Sequence, residues 1–136
     1  MKSAARMLLA VVAGMALAFA LVVAVEMFSA VVHPFPAGVD PNLPGSIPEH
    51  VRRYPQWILG VVVPMWGATA AAAAWVASRI GGRLAGAIVA LLLVAALVFN
   101  LAMLPYVTWF KVVMPAAFAV AALVGINDGA RRRAAA

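Results

Sequence analysis

Four long apolar stretches, separated by polar or proline-rich breaks, set the pattern of this chain. Residues 7–25 read MLLAVVAGMALAFALVVAV, nineteen positions without a charge. As a helix they span roughly 28 Å, about one bilayer hydrocarbon thickness. Glu26 follows, then a further apolar patch to Val32, before His33, Pro34, Phe35 and Pro36 interrupt the helical pattern. The first membrane-spanning helix is expected over residues 7–32, with a carboxylate inside its far end, where an unpaired charge is expensive. Residues 57–77 and 84–104 predict the second and third spanning helices. Residues 107–126 predict a fourth, in which Lys111 snorkels to the interface and Pro115 is tolerated because neighbouring helices satisfy the freed carbonyl.

The breaks predict the topology. Gly81 and Gly82, between Ser78 and Arg83, suit a tight turn, so the second and third helices should form an antiparallel hairpin. The link at Pro105 and Tyr106 is equally short. Lys2, Arg6, Arg79, Arg83, Arg131, Arg132 and Arg133 fall on one side under this arrangement, and Arg52, Arg53 and Lys111 on the other. That bias predicts an all-α, four-transmembrane-helix up-down bundle with both termini cytoplasmic. Lys2 and Arg6 with Ala18-Phe19-Ala20 have the outline of a signal peptide, but the apolar run continues past that site, so an uncleaved anchor is expected. Asn127-Asp128-Gly129 reads as the stop of the last helix, and residues 127–136 as a basic tail that fixes topology and is attracted to anionic lipid.

The first loop, residues 33–56, is the long one and should be external. It holds six of the nine prolines and predicts turns and polyproline pieces rather than a domain with its own core. Ser46 is expected to cap a short helix over residues 49–54. Glu49, His50, Arg52 and Arg53 are the loop positions suited to contact a partner.

Composition narrows the class. Of 136 residues, 67% are hydrophobic and 10% charged, and the mean hydropathy is positive, which excludes a soluble or disordered chain and fits a single membrane domain over residues 1–136. The net charge of +6 lies near helix ends and not in an aromatic-interleaved groove, so no nucleic-acid partner is expected. The absence of cysteine removes disulfides and thiolate chemistry. Ala10-Gly14-Ala18, Gly82-Gly86-Ala90 and Ala117-Ala121-Gly125 form small-residue ridges that allow close helix contacts within the chain or in a homo-oligomer.

The candidate chemistry lies in a few polar residues. Glu26, Asn100 and Lys111 fall at nearly the same depth, with His33 and Tyr106 above them, so a polar cluster is expected in which Glu26 either pairs, with Lys111 the candidate, or takes up a proton. It would act as a structural clasp or as a binding site. Two isolated histidines without helical ligand spacing give no metal site, nothing calls for a cofactor, and no nucleophile constellation or phosphate loop supports an enzyme.

Glu26-Met27-Phe28, His33-Pro34-Phe35-Pro36-Ala37-Gly38, Gly81-Gly82, and Asn100-Leu101 before Pro105-Tyr106-Val107-Thr108-Trp109 resemble a family of small, uncharacterised bacterial four-helix membrane proteins. The resemblance covers most of the chain. It implies an acidic residue ending helix one, followed by an aromatic- or histidine-Pro-x-Pro-x-Gly loop, in a bacterial cytoplasmic (inner) membrane. In this chain His33 stands where the family has tyrosine, and Tyr106-Val107-Thr108-Trp109 lacks the family's histidine. Two function classes follow. One is a structural or accessory subunit that binds another membrane protein or itself; the other is a small-solute or lipid transporter, channel or lipid-binding protein with an outer-leaflet polar site at Glu26. Membrane lipid is the partner common to both.

Overall fold

With no water in the hydrocarbon to take their hydrogen bonds, the backbone amides of these apolar stretches are satisfied by helix formation. The computed structural model describes residues 2–135. It consists of α1 (Lys2–Val32), a short α2 (Ser46–Arg52), α3 (Gln56–Gly81), α4 (Arg83–Met103) and α5 (Thr108–Ala134). All but α2 are long and apolar enough to cross a membrane, so the chain is an all-α, four-helix membrane-spanning bundle. Met1, Ala136 and the side chain of Lys2 lie outside the described residues. The spanning helices alternate in direction. Gly82, with φ of 87°, takes the left-handed turn between α3 and α4 that a side chain would resist, and residues 104–107 join α4 to α5.

The helices pack around α3, which touches α1, α4 and α5. Among the described residues α1 and α5 do not meet; they lie on opposite sides of the α3–α4 pair. The small-residue ridges explain this arrangement. α3 and α5 run in the same direction, and a Cβ added at Gly125 would fall on the Ala71 backbone, while one at Gly129 would lie 2.5 Å from the Trp75 carbonyl oxygen. Gly14 seats α1 in the same way, its added Cβ lying 2.9 Å from the Ala73 carbonyl oxygen and 3.1 Å from Val89. Gly86 makes room for Ser78 across the α3–α4 hairpin. The first two ridges and Gly125 are thus occupied within the bundle, whereas Ala117 and Ala121 line an outward apolar groove. The outward faces carry large apolar side chains such as Phe19, Leu91, Phe99 and Val120, which suits lipid contact.

One helix end departs from expectation. Asn127-Asp128-Gly129 does not stop the last helix, and most of the expected tail is helical, because α5 continues to Ala134. Tertiary contacts override the weak local helix preference of these residues. Gly129 is buried against α3, and Asp128 accepts a hydrogen bond of 2.9 Å from the Trp75 indole N–H and pairs with Arg132 at 2.9 Å. The arginines serve the end of α3 as well. Arg6 and Arg133 each donate to the Ile80 carbonyl at 2.8 Å, supplying donors and positive charge to carbonyls that a helix C-terminus leaves unpaired.

Replacing Gly125 with alanine should destabilise the bundle by about 1–3 kcal/mol, the usual range for overpacking. Gly60→Ala, where an added Cβ meets nothing within 4 Å, should be neutral or slightly stabilising. Unfolding in mixed micelles compares the two, and equal effects would contradict the close α3–α5 contact.

Candidate functional site

Six of the eight arginines, all but Arg52 and Arg53, lie at one end of the bundle; Glu26, Ser29, Tyr54, Asn100 and Tyr106 gather at the other, the loop end. Glu26 and Ser29 sit on the last two turns of α1, three residues apart and so on neighbouring parts of one face. Asn100 sits on the last turn of α4, and its backbone carbonyl accepts the Leu104 N–H at 3.0 Å. Tyr106 lies in the α4–α5 link, where its own N–H turns back to the Leu104 carbonyl at 2.9 Å. Tyr54 lies between α2 and α3, held by a hydrogen bond of 3.2 Å from its N–H to the Val51 carbonyl.

These five side chains line two adjoining cavities. The deeper one has a volume of about 30 Å³ and is completed by apolar residues that include Leu59, Leu97 and Phe110, together with Trp66. It has room for about one water-sized group. The buried Trp66 indole N–H has no hydrogen-bond partner among the described residues. Above it, a cavity of about 330 Å³ is lined by the same five residues together with Ala30, Phe35, Ile47, His50, Val51 and Leu104. Glu26 itself is exposed.

The segment between α1 and α3 folds over the larger cavity. Gly45, with φ of 88°, precedes α2 and no side chain caps it. Ser46 therefore begins α2 as its first residue rather than capping a helix over 49–54, and the helix runs Ser46–Arg52. This register buries His50 and Val51. The His50 ring stacks on Phe35 at 3.9 Å and on His33 at 4.3 Å, and meets Tyr54 edge-on at 5.5 Å. Burial, reinforced by the neighbouring His33, pushes the His50 pKa below its ordinary value. Burial raises the Tyr54 phenol, opposed by the Ser29 hydroxyl beside it and reinforced by Glu26. It raises Tyr106 well above the usual range, again assisted by Glu26. Both phenols are thus neutral at physiological pH and keep their O–H donors.

Of the sequence-predicted residues, Glu26, Asn100 and Tyr106 come together. His33 belongs to the aromatic stack above them and lines neither cavity. Lys111 does not join Glu26. The four ion pairs among the described residues belong to Glu49 and Asp128, and α5, which carries Lys111, lies across the bundle from α1. The loop residues divide: His50 points inward, whereas Glu49 pairs with Arg52 and Arg53 on the exposed side of α2, a surface arrangement worth little stability. Ser29, Phe35, Tyr54 and Trp66 were not foreseen as site residues. Ser29 had a signal in its spacing from Glu26; the other three depend on how the loop and α3 fold back.

No protein-family model matches the chain, and searches of curated proteins and of solved structures give no match either.

The His50 stack predicts a pH dependence. Because the folded ring holds its proton less tightly than a free histidine, the stability it contributes is present above 6.5 and is lost as pH falls through and below that value. Amide exchange over Ser46–Arg52, corrected for intrinsic rate, should quicken several-fold between about pH 7.5 and about pH 5. In His50→Phe the protection should be flat over this range. Equal pH sensitivity in both proteins would remove His50 as the cause.

Proposed function

We propose that this integral membrane protein binds a small polar ligand, a solute or a lipid headgroup, at the loop end of its bundle. The observation that carries this reading is the pair of adjoining cavities lined by Glu26, Ser29, Tyr54, Asn100 and Tyr106. A clasp that only fixed helix register would be expected to bring its polar groups onto one another. Here they surround a cavity of about 330 Å³, of the size that holds small molecules. The excess of arginine at the other end supports an orientation with both termini in the cytoplasm and the cavity facing outward. The sequence resemblance at Glu26, His33 and Asn100 is consistent with a bacterial inner-membrane protein of this kind and supplies no chemistry of its own.

Binding fits better than conduction. Below Trp66 the backbones of α1, α3 and α4 close on one another at Gly14 and Gly86, and the fully buried Ala73, Ala77 and Val89 fill the space. The cavity is a blind recess within one chain. Binding to a membrane-protein partner or to a second copy has only outward apolar faces in its favour, among them the groove lined by Ala117 and Ala121, which lipid covers equally well.

Native mass spectrometry from a mild maltoside detergent tests the reading. The wild-type protein should carry a small molecule or a selected lipid, and Ala30→Phe, which fills the larger cavity, should reduce its occupancy at least about tenfold. A constant polypeptide partner, with the same lipid profile in both proteins, would instead favour an accessory subunit.

A further inference from the structure

Among the described residues the recess is lined by one carboxyl group, that of Glu26, and by no lysine or arginine. Glu26 lines both cavities, yet forms none of the four ion pairs among the described residues. None of the nearer basic groups pairs with it: Arg52 and Arg53 turn to Glu49, and Lys111 stands on a helix that does not touch α1. A carboxylate at this level of a membrane protein calls for a compensating positive charge. The surroundings suit a particular kind of cation. Tyr54 and Tyr106 line both cavities, with Phe35 and His50 beside them in the larger one and Trp66 and Phe110 in the deeper one, and the two phenols are neutral, so the rings add π-face attraction without a second formal charge. Asn100 and Ser29 offer neutral acceptors.

Resting on the reading of this recess as a binding site, we infer that its ligand is an ammonium group, carried by a lipid headgroup or by a free amine, held between the Glu26 carboxylate and the surrounding aromatic rings. An anion would face the carboxylate unscreened, and a neutral polar molecule would leave it uncompensated. Exposure of Glu26, with Met27 and Met103 exposed on the same outer turns of α1 and α4, leaves a headgroup free to enter from the side while its chains stay in lipid. A small amine would enter from the water beneath α2.

The test compares choline with its neutral carbon isostere, in which a tert-butyl group replaces the trimethylammonium, on the full chain in phosphatidylglycerol nanodiscs. Titration calorimetry should give choline at least about tenfold tighter binding than the isostere. That preference should vanish in Glu26→Gln, whose melting curve without ligand checks that it folds. The second arm adds phosphatidylethanolamine to the discs. Selective retention of this lipid over phosphatidylglycerol by wild type but not by Glu26→Gln, with free choline weak, assigns the ammonium to a lipid; tight choline binding that is insensitive to the added lipid assigns it to a free amine. Equal binding of choline and isostere, or a preference that survives in Glu26→Gln, overturns the ammonium assignment. If Ala30→Phe then abolishes binding of both probes, the binding-site reading stands without it. If neither probe nor phosphatidylethanolamine binds, and Ala30→Phe leaves the lipid profile unchanged, both readings fall.

Discussion

The backbone contact between α3 and α5 at Gly125 and Gly129 governs the rest of the bundle. Two helices running in the same direction cannot be joined by a short turn, so α4 must return the chain between them, and α5 is then drawn onto α3 by residues small enough to admit the Ala71 and Trp75 backbones. In lipid, where apolar surface gives helices no reason to prefer one another over acyl chains, this close packing supplies much of the association energy. Its consequence is directional. With α5 on one flank of α3, the other flank is left to α1, and the two outer helices are kept apart.

That separation produces the polar recess. Had α1 and α5 met, Lys111 would stand near Glu26 and the pair would neutralise each other as a structural clasp. Instead Glu26 faces Asn100 of α4 and the two tyrosines brought in by the connecting segments. Along the first half of α1, Ala10, Gly14 and Ala18 are buried against α3 and α4, whereas the cavities open beside Glu26 and Ser29 in its second half. The bundle is narrow at the arginine end and open at the loop end, and the stack of His33, His50 and Phe35 covers the opening.

Much of this was legible in the sequence, for identifiable reasons. Uninterrupted apolar runs give the four spanning helices, because helix length and bilayer thickness are locked together. Glu26 and Asn100 stood out because a charge and an amide in such runs are expensive. Depth along a helix can be counted from residue number, which is what set Lys111 beside Glu26 as an expected partner. What could not be counted was the order of helices around the bundle, and that order decides whether two residues at one depth meet. Tyr54 and Phe35 were hidden for a different reason: they sit on a proline-rich segment whose path depends on the left-handed Gly45 and the burial of His50. At the arginine end, Asn127-Asp128-Gly129 looked like a stop because its local preference is non-helical, but the Trp75–Asp128 hydrogen bond and the seating of Gly129 hold the helix through it.

The same physics separates the two acidic sites that enter the spanning region. Asp128 lies among arginines near the end of its helix and has an indole donor besides, so its charge is satisfied by the chain itself. Among the described residues Glu26 has no ion-pair partner, although an arginine one helical turn away would have been the simplest route to a stable fold. A protein that needed only register at this position would lose nothing by glutamine or leucine, both of which remove the penalty of an unpaired carboxylate. On the proposed reading, a carboxylate beside a cavity with neutral phenols in place of basic groups serves recognition of something positive from outside the chain and not the scaffold.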